Sequence, residues 1–117
     1  MSRRTDRVGE AIQELVAGLL VREIKDPRIG LITITGVRIS PDLRHARIFF
    51  STLGDEEQRT RSLRGLRSAA GFVRGQIARQ LNLRVAPEIV FEYDPSLEEA
   101  ERLSRLLKDS PPSDDQS

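Results

Sequence analysis

Guanidinium groups are concentrated in one stretch of the chain, between positions 59 and 87, where no carboxylate occurs. Seven arginines lie in this cationic stretch: Arg59, Arg61, Arg64, Arg67, Arg74, Arg79 and Arg84. A guanidinium presents its donors in a planar fork that matches two phosphate oxygens, so the stretch is suited to binding a nucleic-acid backbone. Residues 1–58 hold nine basic and nine acidic side chains, and residues 88–117 hold three and nine. The net charge of +1 therefore hides a local positive field, whose usual partner is a polyanion.

The apolar residues of the cationic stretch recur at helical spacing, which predicts an amphipathic helix. Its apolar stripe consists of Leu63, Leu66, Ala70, Val73, Ile77 and Leu81. The opposite face consists of Arg61, Arg64, Ser68, Gly71, Gly75 and Arg79. Because glycine carries no side chain, Gly71 and Gly75 would let an RNA backbone approach the helix closely. Arg67 and Arg74 lie nearer the apolar boundary and Arg84 follows the helix, and we include all three among the predicted RNA-binding residues.

A glycine in the middle of this helix also predicts a change of direction. Glycine in a helix interior costs about 1 kcal/mol relative to alanine, so we predict two helices in series that bend at Gly71. A plain point of flexibility is the alternative interpretation of Gly71. A tolerated surface glycine is the alternative for Gly75.

Two smaller groups of basic residues are further candidates for contact with an anionic partner. The first group lies at the N-terminus, where we expect mobile chain and nonspecific phosphate contacts: Arg3, Arg4 and Arg7. The second group, Lys25 and Arg28, flanks an Asp-Pro pair in a predicted exposed turn. For this turn a structural role and a contact with the partner are equally weighted alternatives.

The chain offers no set of residues for catalysis or for a metal site. It has no cysteine and its one histidine is His45, so neither thiolate ligands nor a pair of imidazoles exist. Glu98, Glu99 and Glu101 fall in the first turns of a predicted helix, where the helix dipole accounts for them. No phosphate-cradling glycine loop or nucleophile motif is present. We predict a non-enzymatic binding protein that needs no metal or other cofactor.

Stacking of RNA bases on aromatic side chains is not expected to dominate recognition. Four aromatic residues are predicted to face the core: Phe50, Phe72, Phe91 and Tyr93. Phe49 alone remains on the outer face of a strand, and one ring is a weak platform for bases. Recognition should therefore address the RNA backbone and its shape.

The elements around the cationic helix follow from apolar periodicity and turn residues. The N-terminal pattern predicts a helix from about Asp6 to about Ile24. Residues 31–39 predict a strand with a bulge at Gly36, and a tight turn leads into a second strand. The second strand carries its apolar residues on one face: Ala46, Ile48 and Phe50.

A third strand and a final helix are predicted after the cationic helix. The strand shows alternating apolar residues at Ile89, Phe91 and Tyr93. Asp94 predicts the cap of the helix, which would be anchored by Leu97, Ala100, Leu103 and Leu107. The composition of residues 110–117 predicts a disordered tail behind a single domain formed by residues 1–109.

The order helix, strand, strand, helix, strand, helix predicts an α+β domain with its helices on one face of a three-stranded sheet. The connection between the second and third strands contains a helix, as a parallel crossover requires, but the pattern leaves the strand order open. No window is long and apolar enough for a membrane span, and acidic residues interrupt any signal sequence. We expect a soluble, cytoplasmic monomer.

Four ordered motifs resemble those of the ribosome-binding factor A family. The members of this family are bacterial assembly factors of the small ribosomal subunit. The motifs are REIKDPRIG at 22–30, VRISPDL at 37–43, AAGFVR at 69–74 and LRVAPEI at 83–89. The similarity extends over residues 7–107. It implies a KH-like domain of type II, in which a helix-kink-helix with Ala69, Ala70 and Gly71 at the bend replaces the Gly-x-x-Gly loop of ordinary KH domains.

The resemblance also implies a function. The protein would bind the free or immature small ribosomal subunit and assist late maturation of its ribosomal RNA, including processing of the 5′ end, with an association with cold shock. Two alternatives remain open at this point. A general KH-type reader of single-stranded RNA should bind short oligonucleotides about as well as subunits, and a protein interaction module that docks an acidic partner should bind it after nuclease treatment.

Overall fold

Three α-helices and three β-strands make up the computed structural model, which describes residues 3–109. In chain order they are α1 (Arg3–Arg22), β1 (Ile32–Ile39), β2 (His45–Thr52), α2 (Glu56–Gln80), β3 (Glu88–Tyr93) and α3 (Ser96–Asp109). The predicted order and the α+β class are confirmed. Helix α1 begins three residues before the predicted start at Asp6, so the N-terminal arginines from Arg3 onward belong to its first turns. The predicted disordered tail, 110–117, lies outside the described residues.

The three strands form one mixed sheet with β2 in the centre. β1 pairs with β2 in antiparallel fashion, and β2 pairs with β3 in parallel, as a crossover through α2 requires. Ile34 lies opposite Phe50 and Gly36 opposite Phe49, so Thr35 is an extra residue in β1. The predicted bulge is therefore confirmed. It returns the side chains that follow it in β1 to the face of the sheet that packs against the helices.

One apolar core lies between the sheet and the helices α1 and α2. Its buried residues come from α1, the loop after it, all three strands and α2: Ile12, Val16, Leu19, Ile29, Ile34, Ala46, Ile48, Phe50, Leu66, Val73, Ile77 and Phe91. On β2 the alternate residues His45 and Arg47 are exposed on the other face. The helices thus cover one face of the sheet, as predicted, and the position of α2 is set by its apolar stripe.

Helix α2 is a single uninterrupted α-helix of 25 residues. The two helices predicted in series are therefore one continuous helix with Ala69, Ala70 and Gly71 near its middle, and the predicted bend at Gly71 stays a prediction. Buried residues on both sides of Gly71 dock onto the same sheet, which holds the helix together across the glycine. The tertiary packing of an apolar stripe outweighs a local propensity cost of about 1 kcal/mol.

Helix α3 departs from the prediction that apolar residues anchor it. Every side chain described for this helix is exposed, and the exposed fraction of Leu103 is 57%. The same holds for the other expected anchors: Leu97, Ala100 and Leu107. Apolar periodicity shows that a helix has an apolar face but not that a surface lies opposite that face.

None of the described helices is long and apolar enough to cross a membrane.

The start of α3 is tied to the bulge in β1. The carboxylate of Asp94 accepts a hydrogen bond from the hydroxyl of Thr35 at 2.6 Å and another from the backbone amide of Ser96 at 2.9 Å. These donors lower the pKa of Asp94, the Thr35 hydroxyl contributing most. The predicted cap is confirmed, and the extra residue of the bulge supplies one of its bonds.

The contrast between the core and α3 can be tested by making the same substitution in both. Leu66→Ala removes a fully buried side chain and should lower the free energy of unfolding by about 2–5 kcal/mol. Leu103→Ala removes an exposed one and should change it by less than about 0.5 kcal/mol. Urea denaturation followed by circular dichroism measures both. A loss of similar size for Leu103→Ala would show that α3 is packed.

Candidate nucleic-acid interface

The face of α2 that points away from the sheet is positively charged. We define the α2 outer face as Arg61, Arg64, Ser68, Gly71, Phe72, Gly75 and Arg79. Its three arginines and the adjacent Arg67 are exposed, and none of the four forms an ion pair or a side-chain hydrogen bond within residues 3–109. No residue within that range therefore neutralises their charge.

The two glycines of the α2 outer face border open space. A Cβ atom placed on Gly71 or Gly75 would have no neighbour within 4 Å, apart from the backbone of its own helix. This agrees with the predicted strip without side chains, which leaves room for close approach of a ligand's backbone. The structure thus brings six of the predicted residues together on one face: Arg61, Arg64, Ser68, Gly71, Gly75 and Arg79. Arg67 lies at the edge of this face.

The turn after α1 lies beside this face. A terminal nitrogen of Arg28 donates to the hydroxyl of Ser68 at 3.0 Å and to the carboxylate of Asp26 at 2.6 Å. Hydrogen bonds from the side chain and backbone of Arg28 lower the pKa of Asp26. Lys25 is exposed on the same turn. The turn is therefore linked to the α2 outer face through Ser68. The charge of Arg28 is partly neutralised by its ion pair with Asp26.

Close packing at Gly65 holds this turn against α2. A Cβ on Gly65 would lie 2.6 Å from Cγ1 of Ile29. Next to it, the buried hydroxyl of Ser62 donates to the carbonyl oxygen of Ile29 at 2.7 Å and accepts from the side-chain amide of Gln58 at 3.0 Å. Sequence reasoning missed this contact. The signal was a pair of small residues three positions apart, which give a helix a shallow groove on one side.

Two arginines of the cationic stretch are committed to contacts within the protein. Arg74 donates to the carbonyl oxygens of Pro87 at 2.9 Å and Ala86 at 3.3 Å, and it pairs with Glu88 at 3.0 Å. These bonds fix the connection between α2 and β3. The prediction that Arg74 binds RNA stays a prediction, and the structure gives this residue a structural task as well.

Arg59 has a similar position at the other end of α2. Its guanidinium carbon lies 3.9 Å from the ring centroid of Tyr93, and the group pairs with Glu98 at 3.0 Å. The contact joins α2 to the first turn of α3. One positive charge of the cationic stretch is thus neutralised by the acidic C-terminal segment.

Phe72 is not in the core, and its predicted inward position is wrong. The residue is 44% exposed on the α2 outer face, because it directly precedes the buried Val73 and successive residues of a helix point to different sides. Phe49, the expected outward aromatic, is half-buried beneath the guanidinium of Arg47, which lies 5.2 Å from the ring centroid. The α2 outer face therefore carries an aromatic ring that the sequence pattern had assigned to the core.

The remaining predicted residues lie elsewhere. Arg84 is in the connection between α2 and β3, where it lines an open cavity together with Arg4. Arg3 and Arg7 are exposed on the first turns of α1. Among the described residues, no three histidine, cysteine or carboxylate side chains are grouped so that they could hold a metal ion.

Comparison with known proteins relates this arrangement to one family. A sequence model of the family described as Ribosome-binding factor A matches residues 4–107. The Ribosome-binding factor A of Geobacter metallireducens is 50% identical over 109 residues, which cover 93% of this chain and 92% of that protein.

Solved structures give the same result for the fold. The solution structure of a Thermotoga maritima protein, described as a putative ribosome binding factor A, is 36% identical with a TM-score of 0.71, covering 79% of this chain and 88% of that one. A Thermus thermophilus ribosome binding factor A, fitted as a homology model into a cryo-EM map of a 30S complex, is 24% identical with a TM-score of 0.58, covering 82% and 97%.

Matched glycine substitutions test which glycine of α2 serves close packing. Gly71→Ala should raise the free energy of unfolding by up to about 1 kcal/mol, because the helix gains propensity and the site is open. Gly65→Ala gains the same propensity but forces a methyl group against Ile29. We expect it to be less stable than Gly71→Ala by about 1–3 kcal/mol. Equal stability of the two variants in urea would show that the turn does not press against α2.

Proposed function

The chain belongs to the ribosome-binding factor A family, and we propose that it binds the small ribosomal subunit through the α2 outer face. The observation that carries this proposal is the set of four exposed arginines on α2 that have no partner within residues 3–109. They lie around two glycines that border open space. A phosphodiester backbone supplies both the negative charge and the narrow shape that such a surface accepts.

The small subunit is the partner that family membership favours. The Thermus thermophilus ribosome binding factor A was fitted into a map of its complex with the 30S subunit. We propose that this chain binds the free or immature form of that subunit in the cytoplasm, as a monomer. Assistance in late maturation of the ribosomal RNA, processing of its 5′ end and a role in cold adaptation belong to the same proposal.

The proposed mechanism is binding without catalysis. Arginines on a rigid helix hold several phosphates at fixed spacing, so the protein binds one arrangement of the RNA more tightly than others. Such a difference in affinity shifts the RNA toward the bound arrangement. Neither a cofactor nor a covalent step is required. The continuous α2 serves this purpose because its arginines are spaced along one helix.

A general reader of single-stranded RNA is the second candidate, and one observation favours it. Phe72 exposes its ring among the arginines of the α2 outer face, where an unpaired base could stack on it. Equal affinity for short oligonucleotides and for small subunits would support this candidate. Binding to an acidic protein that survives nuclease treatment would instead support a protein interaction module.

The main test changes the charge of the α2 outer face. Replacing Arg61, Arg64 and Arg79 together by glutamine should weaken binding to purified small subunits. Each phosphate contact contributes about 0.7–0.9 to the slope of log affinity against log salt concentration, so that slope should become shallower by about two units. Filter binding at several salt concentrations measures both effects. Thermal stability should change little, because exposed charges contribute little to it.

The matched control removes the same formal charge from α3, where Arg102, Arg105 and Lys108 are exposed. Their replacement by glutamine should leave affinity and salt slope near those of the unchanged protein. Equal losses from the two triple variants would mean that net charge alone matters, and the assignment of the binding surface to α2 would be abandoned.

Close approach of RNA at the glycines has its own test. Gly71→Leu places a large side chain where the structure has open space, so the protein should keep its circular dichroism spectrum and lose subunit binding. Gly71→Ala adds only a methyl group and serves as the control. Full binding by the leucine variant would contradict close approach at this position while leaving the electrostatic contacts in place.

A further inference from the structure

Three arginines from separate parts of the chain line one open cavity, which we call the arginine cavity. Arg4 comes from α1, Arg44 from the turn between β1 and β2, and Arg84 from the connection between α2 and β3. The volume of the cavity is about 440 Å³. All three residues are exposed, and their side chains have no hydrogen bond or ion pair in the described part of the chain.

The backbone that presents these arginines is held in a defined shape. Leu43, directly before Arg44, has a φ of 62°, and Asn82, two residues before Arg84, has a φ of 55°. Such left-handed conformations are uncommon outside glycine, and the surrounding structure must maintain them. The amide of Glu88 donates to the carbonyl oxygen of Arg44 at 2.7 Å, which ties the turn to the start of β3. The cavity is therefore a formed feature rather than a gap between loose segments.

Among the described residues, one carboxylate lines the arginine cavity, and it already accepts hydrogen bonds within its own turn. Asp42 accepts a hydrogen bond from the hydroxyl of Ser40 at 2.6 Å and another from the backbone amide of Arg44 at 3.0 Å. These donors, the hydroxyl first, lower the pKa of Asp42. Among the described residues, three arginines and one carboxylate thus line the cavity, which leaves an excess of two positive charges around a concave space.

We propose that the arginine cavity binds a phosphate group of RNA, as a second anion site distinct from the α2 outer face. The proposal rests on the proposed function in one respect, because it takes the ligand to be ribosomal RNA. Guanidinium groups bind phosphate oxygens through charge-assisted hydrogen bonds, and three separate segments of the chain supply such a group to the lining of the cavity. The arginine cavity and the α2 outer face share no residue, so RNA bound at both sites would be held at two separated points.

The decisive experiment compares three triple variants in the full chain. Arg4, Arg44 and Arg84 are changed together to glutamine, and subunit binding is measured against salt beside the α2 variant, the α3 control variant and the unchanged protein. Because the arginine cavity is proposed to bind one phosphate, the cavity variant should flatten the salt slope by about 0.7–0.9. Combined with the α2 variant, the two losses in log affinity should add, as expected for separate contact sites.

The outcomes separate this inference from the proposed function. If the cavity variant behaves like the α3 control while the α2 variant loses affinity, the arginine cavity is not an RNA site and the proposed function stands. If the cavity variant loses affinity while the α2 variant does not, the arginine cavity is supported and the α2 assignment fails. Circular dichroism of the cavity variant should match the unchanged protein, because no other described residue depends on these three side chains.

A second measurement identifies the source of the phosphate. The NMR signals of the arginine Nε–H groups are followed while three probes are added: inorganic phosphate, a short RNA with a 5′-phosphate, and the same RNA without it. Shifts at Arg44 and Arg84 with both RNAs indicate backbone phosphates, and shifts with the phosphorylated RNA alone indicate a terminal phosphate. Both results support the proposal. Shifts with inorganic phosphate only, or with none of the probes, would overturn it.

Discussion

The structure depends on how α2 is enclosed on two sides. Leu66, Val73 and Ile77 bury one side of this helix against the sheet. On a second side, Gly65 and Ser62 bring the helix into direct contact with the turn at Ile29. The remaining side of α2 is exposed to solvent, and the arginines without partners within residues 3–109 lie there. The packing of a short domain thus determines which of its faces can carry uncompensated charge.

The cationic stretch divides into arginines that build the domain and arginines that remain available. Arg59 and Arg74 are held by carbonyl groups, carboxylates or an aromatic ring, and they fix the two ends of the crossover. The arginines of the α2 outer face have no such partners in the described residues. Unneutralised charge on one face of a helix creates a local positive potential, which attracts a polyanion. Net charge does not reveal this division, since the acidic residues lie in other segments.

Much of the fold could be predicted from the sequence because it follows from patterns among residues that are neighbours in the chain. The bulge at Gly36 follows from a slip in the alternation of β1, and the cap at Asp94 follows from the residue type before a proline. The assignment of Phe72 to the core is wrong, because one residue is a step of about 100° around a helix and helical spacing places Phe72 with Ser68 and Gly75. Contacts between distant segments could not be predicted: nothing in the apolar stripe of α3 shows that no surface lies opposite it. Likewise, the convergence of Arg4, Arg44 and Arg84 depends on three connections whose geometry no local pattern encodes.

Directed cleavage of ribosomal RNA tests most directly whether the α2 outer face contacts it. The chain contains no cysteine, so a single cysteine can carry an iron chelate that generates hydroxyl radicals near its own position. Ser68→Cys places the chelate on the α2 outer face, and Val90→Cys places it on the exposed face of the sheet. In complexes with the small subunit, we predict strong and localised cleavage of the ribosomal RNA from position 68 and weak cleavage from position 90. Strong cleavage from position 90 with none from position 68 would contradict contact through this face.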